Sequence, residues 1–288
     1  MNIPAHTIIL FYRFAPIADP ILVAETHRAV CKKLGLKGRM IVGEEGINAT
    51  FEGETAAIEQ YKEYLKNDSF FEGILIKESE GTGSAFPRLT IKVRDEIVTL
   101  GAGKFDVPNE TATELPAAEL QKWYAENKDF VVLDLRNDYE IASGKFERTV
   151  DPGLKNFRDL PKKIKSLASL KDKKVVTVCT GGIRCEKATC LLKKEGFTDI
   201  YQLKDGIHTY MKEYPGEHFK GTLFVFDNRM TTDVTVVSKK EVIGTCIFCS
   251  KETEDYYCDD RIRPTQKVLC CKDCSLKSQA ASLRSCVS

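Results

Sequence analysis

The first hundred residues combine two hydrophobic periodicities, one typical of β-strands and one typical of amphipathic helices. They predict a strand at residues 7–14, a helix at 21–35 and two strands around a tight turn at 38–53. A second helix at 54–68 and a last strand at 73–81 follow. Asp19 and Pro20 are typical helix-start residues, and Gly35 is a typical stop. The order β-α-β-β-α-β predicts a ferredoxin-like α+β domain over residues 1–101.

The rest of the chain shows a different pattern. Residues 102–116 are polar and rich in turn formers, and we expect a linker there. Nearly continuous apolar strands then alternate with helices, which is typical of a parallel sheet buried on both faces; the strands are predicted at 130–136, 173–179 and 199–203. We therefore predict a doubly wound α/β domain over residues 117–220. Residues 221–288 change to a cysteine-rich segment, which we predict to be a third part.

Composition and charge exclude some classes of protein. The chain has 288 residues, of which 42% are hydrophobic and 30% are charged. Its net charge is only +1, so the charge of the whole chain does not indicate a class of binding partner. The start of the chain lacks the pattern of a signal peptide, and no apolar stretch reaches the ~18 residues of a membrane span. Eleven cysteines, an odd number, fit reactive or metal-bound thiols in a reducing cytoplasm better than a disulfide framework.

The segment "CTGGIRCEKATC" places Cys179 directly after a predicted parallel strand and before a helix. Such turns bind ligands in α/β sheets. We expect the backbone N–H groups of the loop and the cation of Arg184 to stabilise an anion and to lower the pKa of Cys179, which we predict to be a nucleophile. The loop residues are Thr180, Gly181, Gly182 and Ile183. Only four residues separate Cys179 from Arg184, so the loop forms a small ring of backbone N–H donors. A ring of this size suits a sulfur atom better than a tetrahedral phosphate, and the loop length therefore disfavours a phosphatase. The alternative is an inert buried cysteine.

Other cysteines and charged residues near this loop are predicted to have supporting roles. Cys185 either resolves an oxidised Cys179 or packs under the loop, and the sequence leaves both possibilities open. Cys190 is expected to pack in the core. Asp134 and Arg136 end the preceding strand, where we expect them to hold neighbouring loops by hydrogen bonds.

The C-terminal cysteines have the spacing of a structural zinc site. Two thiol pairs, each two residues apart, lie about two dozen residues from one another, and four thiolates satisfy tetrahedral zinc. The best set is Cys246, Cys249, Cys271 and Cys274. Cys258 and Cys270 are alternates, and a set of free thiols is the competing interpretation.

The motifs "VVLDLRNDYE", "GKFERTVDP", "CTGGIRC" and "YQLKDGI" occur in the order found in rhodanese domains. Together with "GRMIVGEEGINATFEG" and "FKGTLFVFDNR", they make the chain resemble the bacterial rhodanese-domain tRNA uridine hydroxylases over nearly its whole length. The resemblance implies oxygen-dependent 5-hydroxylation of the wobble uridine of tRNA, with molecular oxygen as co-substrate, and gives Cys179 the role of the reactive cysteine. No flavin, haem or iron site is visible in the sequence.

The resemblance makes tRNA the expected partner, and the C-terminus offers groups that could bind it. From Arg261 to Ser288 there are six basic residues and one acidic residue. Lysine and arginine bind phosphates, and unpaired bases stack on aromatic rings, here Tyr256 and Tyr257. Two other functions remain open: a sulfurtransferase that carries sulfane sulfur as a Cys179 persulfide, and a non-catalytic zinc-stabilised RNA-binding scaffold. The sequence leaves the oligomeric state open.

Overall fold

A computed structural model of the chain describes residues 4–232, 241–260, 266–277 and 282–286. The chain forms two compact units, residues 1–99 and 100–288. No helix in these described ranges has the length and apolar character needed to span a bilayer.

The first unit contains a five-stranded sheet and two main helices. Its elements are β1 His6–Phe14, α1 Pro20–Lys33, β2 Lys37–Gly43, β3 Gly46–Glu54, α2 Thr55–Lys66, a 3₁₀ turn Ser69–Phe71, β4 Lys77–Glu80 and β5 Leu89–Val93. The strand order is β4-β1-β3-β2-β5, antiparallel except for the β2–β5 pair. The β-α-β-β-α-β order is that of the ferredoxin-like fold, so the prediction is confirmed.

Local chemistry explains these elements. The Asp19 carboxylate accepts hydrogen bonds from the backbone N–H groups of Ile21 and Leu22, which caps α1 as predicted. In α2, the residues buried against the sheet recur at helical spacing, namely Ile58, Tyr61 and Leu65. The turn between β2 and β3 requires glycine, because Gly46 has φ +142° and a Cβ there would lie 1.9 Å from a backbone oxygen of β1.

The second unit is built on a parallel sheet. Its first elements are α3 Val107–Glu110, β6 Thr113–Leu115, α4 Ala117–Ala125, β7 Val131–Asp134, α5 Asp138–Ile141, β8 Gly144–Phe146, β9 Thr149–Val150, α6 Leu160–Lys163, β10 Val175–Val178, α7 Ile183–Lys194, β11 Ile200–Leu203 and α8 Gly206–Glu213, with 3₁₀ turns at Phe157–Asp159 and Ile164–Leu170. The order β6-β11-β10-β7-β9 is parallel throughout. The predicted α/β sheet is confirmed.

One boundary prediction is wrong. The segment 102–116, expected to be a linker, contains α3 and the edge strand β6, which pairs with β11. Only Leu115 of this three-residue strand is buried, so the strand is too short and too polar to produce a detectable apolar pattern.

The C-terminal segment completes the second unit with short strands. They are β12 Phe219–Gly221, β13 Leu223–Phe224, β14 Thr231–Thr232, β15 Tyr256–Asp259, β16 Gln266–Leu269, the short helix α9 Lys272–Ser275 and β17 Leu283–Ser285. β12 pairs with β8, β13 with β14, and β15 lies between β16 and β17. Tyr256 and Leu269 pack with Phe224 and Tyr139 in one apolar cluster, so this segment is held against α5. A domain boundary at residue 220 stays a prediction.

Candidate active site

Cys179 lies directly after β10, at the carboxyl edge of the parallel sheet, and has no exposed surface. The backbone N–H of Gly182 donates a hydrogen bond to its Sγ over 3.2 Å. Gly182 has φ +103°, and α7 begins at the next residue. The chain therefore turns tightly around one sulfur atom, as the glycine pair predicts.

The surroundings of this sulfur favour the thiolate. Burial alone would raise the pKa of Cys179. A hydrogen bond from the Cys185 thiol, the charge of Arg184 and the backbone N–H groups of Cys185 and Arg184 outweigh burial and lower the pKa to about 5. Burial and the neighbouring Cys179 thiolate raise the pKa of Cys185 well above its ordinary value. The pair is therefore arranged as one thiolate and one thiol in contact.

The start of α8 supports the loop from the other side. The N–H groups of Ile207 and His208 donate to the carbonyl oxygens of Cys179 and Thr180, both over 3.0 Å. Gly206 allows this approach, because a Cβ there would lie 2.7 Å from backbone atoms of Gly181 and Gly182. The "DGI" of the rhodanese-like motif thus has a steric role, which the sequence alone did not assign.

Arg184 is fixed by a carboxylate that the sequence did not identify as a site residue. Its two terminal nitrogens donate to the two carboxylate oxygens of Glu140 over 2.7 and 2.8 Å, and one of them also donates to the Thr180 hydroxyl over 3.2 Å. Burial opposes the charge of Glu140, but the guanidinium lowers the pKa of this carboxyl below its ordinary value. The bidentate pair orients Arg184 beside the loop.

Glu140 could have been found from a capping box. Asn137 caps α5, and the Glu140 carboxylate accepts a hydrogen bond from the backbone N–H of Asn137 over 3.0 Å. The spacing of Asn and Glu predicts this local bond, but nothing in the sequence places the same carboxylate against a guanidinium 44 residues further along the chain.

Asp134 and Arg136 form a second buried ion pair that stabilises the neighbouring loop, as predicted. The Arg136 guanidinium donates to the Asp134 carboxylate and to the carbonyl oxygens of Glu140 and Gly144. Cys190 is buried in α7, where its thiol donates to the Glu186 carbonyl over 3.2 Å, so the expected packing role is also confirmed.

Four C-terminal sulfurs are brought together. The Sγ atoms of the predicted set all lie within 4.8 Å of one another; the residues are Cys246, Cys249, Cys271 and Cys274. Cys249 and Cys271 are 3.7 Å apart, close to the ~3.8 Å between sulfurs that each lie about 2.3 Å from a tetrahedral zinc. The cluster therefore has the donors and the spacing of a metal site.

One prediction about the surplus cysteines needs correction. Cys258 is not available as an alternate ligand, because it forms a disulfide with Cys286. This disulfide also differs from the expectation, drawn from the cysteine count, of reactive or metal-bound thiols. Cys270 is buried beside the cluster, and its thiol contacts the Cys271 carbonyl and the Cys246 sulfur. Its role as an alternate ligand stays a prediction.

The aromatic residues proposed for base stacking are engaged elsewhere. Tyr256 is buried and its hydroxyl donates to the backbone carbonyl of Tyr139. The hydroxyl of half-buried Tyr257 bonds to Ser275 over 3.1 Å. Among the six basic residues, Lys267, Lys272, Lys277 and Arg284 lie within the described residues, and Arg284 pairs with Asp260 over 2.8 Å; Arg261 and Arg263 lie outside them.

Comparison with known proteins agrees with this architecture. The family model described as "Rhodanese-like domain" matches residues 116–213, so the parallel sheet and thiol loop define a rhodanese-type domain. The models "UPF0176 acylphosphatase like domain" and "Rhodanase C-terminal" match residues 6–97 and 220–287. A protein of Cytophaga hutchinsonii named tRNA uridine(34) hydroxylase is 40% identical over 98% of this chain and 89% of its own length. The chain belongs to the tRNA uridine(34) hydroxylase family.

Further relatives differ in how much of the chain they cover. A Staphylococcus saprophyticus protein with the same name is 44% identical over 87% of this chain and 80% of its own length. The crystal structure of a rhodanese-like domain protein from Staphylococcus aureus is 26% identical and covers 34% of this chain and 90% of its own, with a TM-score of 0.30.

We expect the thiolate of Cys179 to titrate with a midpoint at a pH of about 5, against ~8.5 for an ordinary cysteine. Because the sulfur is buried, the measurement is the ultraviolet absorbance of the thiolate, taken as the difference between the wild type and Cys179→Ser. Cys185→Ala should raise the midpoint, because it removes a hydrogen-bond donor to the thiolate. A wild-type midpoint of ~8.5 or above would contradict the geometry.

Proposed function

We propose that this protein hydroxylates C5 of the wobble uridine of tRNA, in the cytoplasm, with molecular oxygen as co-substrate. The observation that carries the proposal is the 40% identity to a tRNA uridine(34) hydroxylase over 98% of the chain. The buried thiolate at the edge of the sheet supports it, because a family whose chemistry depends on a reactive cysteine needs such a group.

The overall reaction sets what the site has to supply. One oxygen atom of O₂ replaces hydrogen at C5 and the other leaves as water, which requires two electrons and two protons besides those of the C5–H bond. Two sulfurs that become a disulfide supply both electrons; a thiolate–thiol pair supplies one of the protons, and solvent water supplies the other. The balanced change is uridine, O₂ and two thiols giving 5-hydroxyuridine, water and one disulfide.

The site contains two thiols suited to this role. We assign Cys179 as the reacting thiolate and Cys185 as the second thiol, because the Cys185 thiol donates its hydrogen bond to the Cys179 sulfur. The N–H groups of Gly182, Arg184 and Cys185 and the Arg184 cation stabilise negative charge at this point. A cellular thiol reductant then restores the pair for the next turnover.

A sulfurtransferase is the second candidate, because the rhodanese-like model matches residues 116–213. The same Cys179 would then carry sulfane sulfur as a persulfide. Purified protein assayed with thiosulfate and cyanide measures that activity, and the production of thiocyanate without any 5-hydroxyuridine would favour this candidate over the hydroxylase.

The function is tested by nucleoside mass spectrometry of tRNA from a strain in which the gene is deleted. We expect 5-hydroxyuridine and the nucleosides made from it to be lost and to return when the wild-type gene is supplied. Growth under low oxygen should lower their level in the complemented strain, because O₂ is consumed. Unchanged nucleosides in a strain without other routes to this modification would contradict the proposed function.

We also propose that the four-cysteine cluster holds one structural zinc ion. Thiolates at tetrahedral spacing fit zinc, and three of the four side chains, those of Cys246, Cys271 and Cys274, are buried, which suits a closed structural site. The bound ion would hold together the turn at 246–249 and the start of α9, two segments with little apolar core of their own.

Adjacent cysteines provide a matched test of the zinc site. We expect metal-replete wild type to contain about one zinc per chain and Cys271→Ser to lose it, because three thiolates cannot close the tetrahedron. Cys270→Ser, one residue away, should retain the metal. Elemental analysis of the purified variants measures the zinc content, and equal zinc in both variants would contradict the ligand assignment.

A further inference from the structure

Phe226 is the only aromatic side chain of the chain that is exposed. The sequence has 15 Phe, 10 Tyr and 1 Trp, and all of them lie within the residues that the structure describes. The Phe226 side chain is 39% exposed, whereas every other ring is buried or half-buried. It belongs to "FKGTLFVFDNR", one of the motifs that carry the resemblance to the hydroxylase family.

The backbone around Phe226 is held rigidly. β13 and β14 form a hairpin, and at its tip the N–H of Val225 donates to the Met230 carbonyl over 2.8 Å. The Arg229 guanidinium binds both carboxylate oxygens of Asp227, over 2.8 and 2.7 Å. Val225 and Asp227, on either side of Phe226, are buried. The ring is thus presented outward by a fixed turn, so binding through it would cost little ordering.

Two cations lie beside this ring. The Arg184 guanidinium is 5.6 Å from the ring centroid, and the Lys267 ammonium is 5.8 Å from it. Lys267 also lies over Phe224 and Tyr139, at 4.8 and 5.5 Å from their centroids. Because Arg184 also stabilises the Cys179 thiolate, the exposed ring borders the reactive loop through a shared guanidinium.

We propose that Phe226 is the surface on which the base of the target nucleotide stacks, and that Lys267 binds a phosphate next to that base. The proposal rests on the proposed function and identifies how this chain would hold its uridine. Every base has a flat π face that stacks on aromatic rings, and neighbouring cations attract the backbone. The structure thereby moves the stacking role from Tyr256 and Tyr257, which are engaged elsewhere, to Phe226.

A competing explanation is that the ring only shields the Arg184–Glu140 pair from water. Leucine would provide similar apolar cover without a flat π face, whereas tyrosine would retain the face. Phe226→Leu and Phe226→Tyr therefore separate shielding from stacking. Phe105→Ala is a matched control, because Phe105 also packs against a cation, that of Lys194, at the opposite end of α7.

The test is a double-mutant cycle in which the Phe226 ring and the wobble base of the RNA are removed separately and together. The probe is an anticodon stem–loop RNA with uridine or with an abasic nucleotide at the wobble position, and the readout is the Kd at fixed salt. We expect Phe226→Ala and Phe226→Leu to weaken binding of the uridine RNA roughly 5- to 150-fold, the range for loss of one stacked base. Neither should alter binding of the abasic RNA, and Phe226→Tyr and Phe105→Ala should bind both RNAs like wild type.

Lys267→Gln should act differently in the same cycle. Loss of a phosphate contact weakens binding of the uridine and abasic RNAs equally. It also lowers the number of ions released on binding by about one, as read from the slope of log Kd against the logarithm of the salt concentration. Equal weakening of both RNAs by Phe226→Ala, or a Phe226→Leu variant that binds like wild type, would overturn the stacking proposal. These outcomes are read from binding alone. Failure of the proposed function would instead appear as absence of 5-hydroxyuridine with the wild-type protein.

Discussion

Replacing Cys179 with serine is expected to lower the rate of 5-hydroxyuridine formation by roughly 10³-fold or more, the scale of loss when a catalytic nucleophile is removed. Serine is nearly isosteric and its hydroxyl stays protonated at neutral pH, whereas the pKa of the Cys179 thiol is about 5. The variant therefore keeps the packing of the loop and loses only the anion. The measurement is single-turnover conversion of tRNA, followed by nucleoside mass spectrometry.

Cys190→Ser is the matched control for this experiment. Cys190 is also a buried thiol near the loop, but its sulfur bonds to the Glu186 carbonyl, a contact that a serine hydroxyl can make. We expect this variant to retain activity. A Cys179→Ser protein with wild-type turnover would refute the assignment of the reacting thiolate.

Glu140→Gln is expected to have the largest effect on stability. Its carboxylate and that of Asp134 face the guanidinium groups of Arg136 and Arg184 in a buried network, so its removal takes away the bidentate partner of the buried Arg184 guanidinium. Removing one member of a buried ion pair costs about 3–5 kcal/mol in the free energy of unfolding. Activity should fall as well, because Arg184 loses the partner that orients it. Chemical denaturation at pH 7 measures the loss of stability.

Glu147→Gln provides the matched control, because Glu147 pairs with His218 through one partly exposed hydrogen bond of 2.9 Å. Such pairs contribute about 0–1 kcal/mol, so this variant should unfold like wild type. A Glu140→Gln protein as stable as Glu147→Gln would contradict the importance of the buried network.

The same carboxylate predicts the sign of a pH effect. The Arg184 guanidinium lowers the pKa of Glu140 in the folded state against the opposing effect of burial. Its contribution to stability is then fully present above the unfolded pKa of ~4.3 and is lost as the pH falls through the lowered folded pKa. The difference in unfolding free energy between wild type and Glu140→Gln should therefore shrink below pH ~4.

The sequence predicts most of the fold because periodicity reports burial. The ferredoxin-like unit follows from alternating strand and helix periodicities, and the parallel strands follow from nearly continuous apolar runs such as residues 130–133. β6 was missed because its hydrogen bonds to β11, rather than its own side chains, make it a strand. A short edge strand is defined by its neighbour, which a local pattern does not contain.

The candidate site likewise contains residues that the sequence predicts and residues that only the tertiary structure reveals. Cys179 and Arg184 lie on one loop, so their spacing shows that they cooperate. Glu140 and Phe226 reach Arg184 from residues 44 and 42 positions away along the chain, and tertiary packing brings them there. The C-terminal segment was predicted as a third part of the chain, and Tyr256 within it donates a hydrogen bond from its hydroxyl to the backbone of α5, the helix that carries Glu140.

The position of Lys267 near the end of the chain affects the timing of biosynthesis. This residue is made almost 90 residues after Cys179, an interval of roughly 4–18 s at the usual rates of translation. Phe226 is made 41 residues before Lys267, so for roughly the last 2–8 s of that interval the nascent chain contains the thiol loop and the aromatic hairpin tip but lacks the cation beside them. If Lys267 binds phosphate as proposed, this order of synthesis makes its contact with tRNA available only when translation of the enzyme is nearly finished.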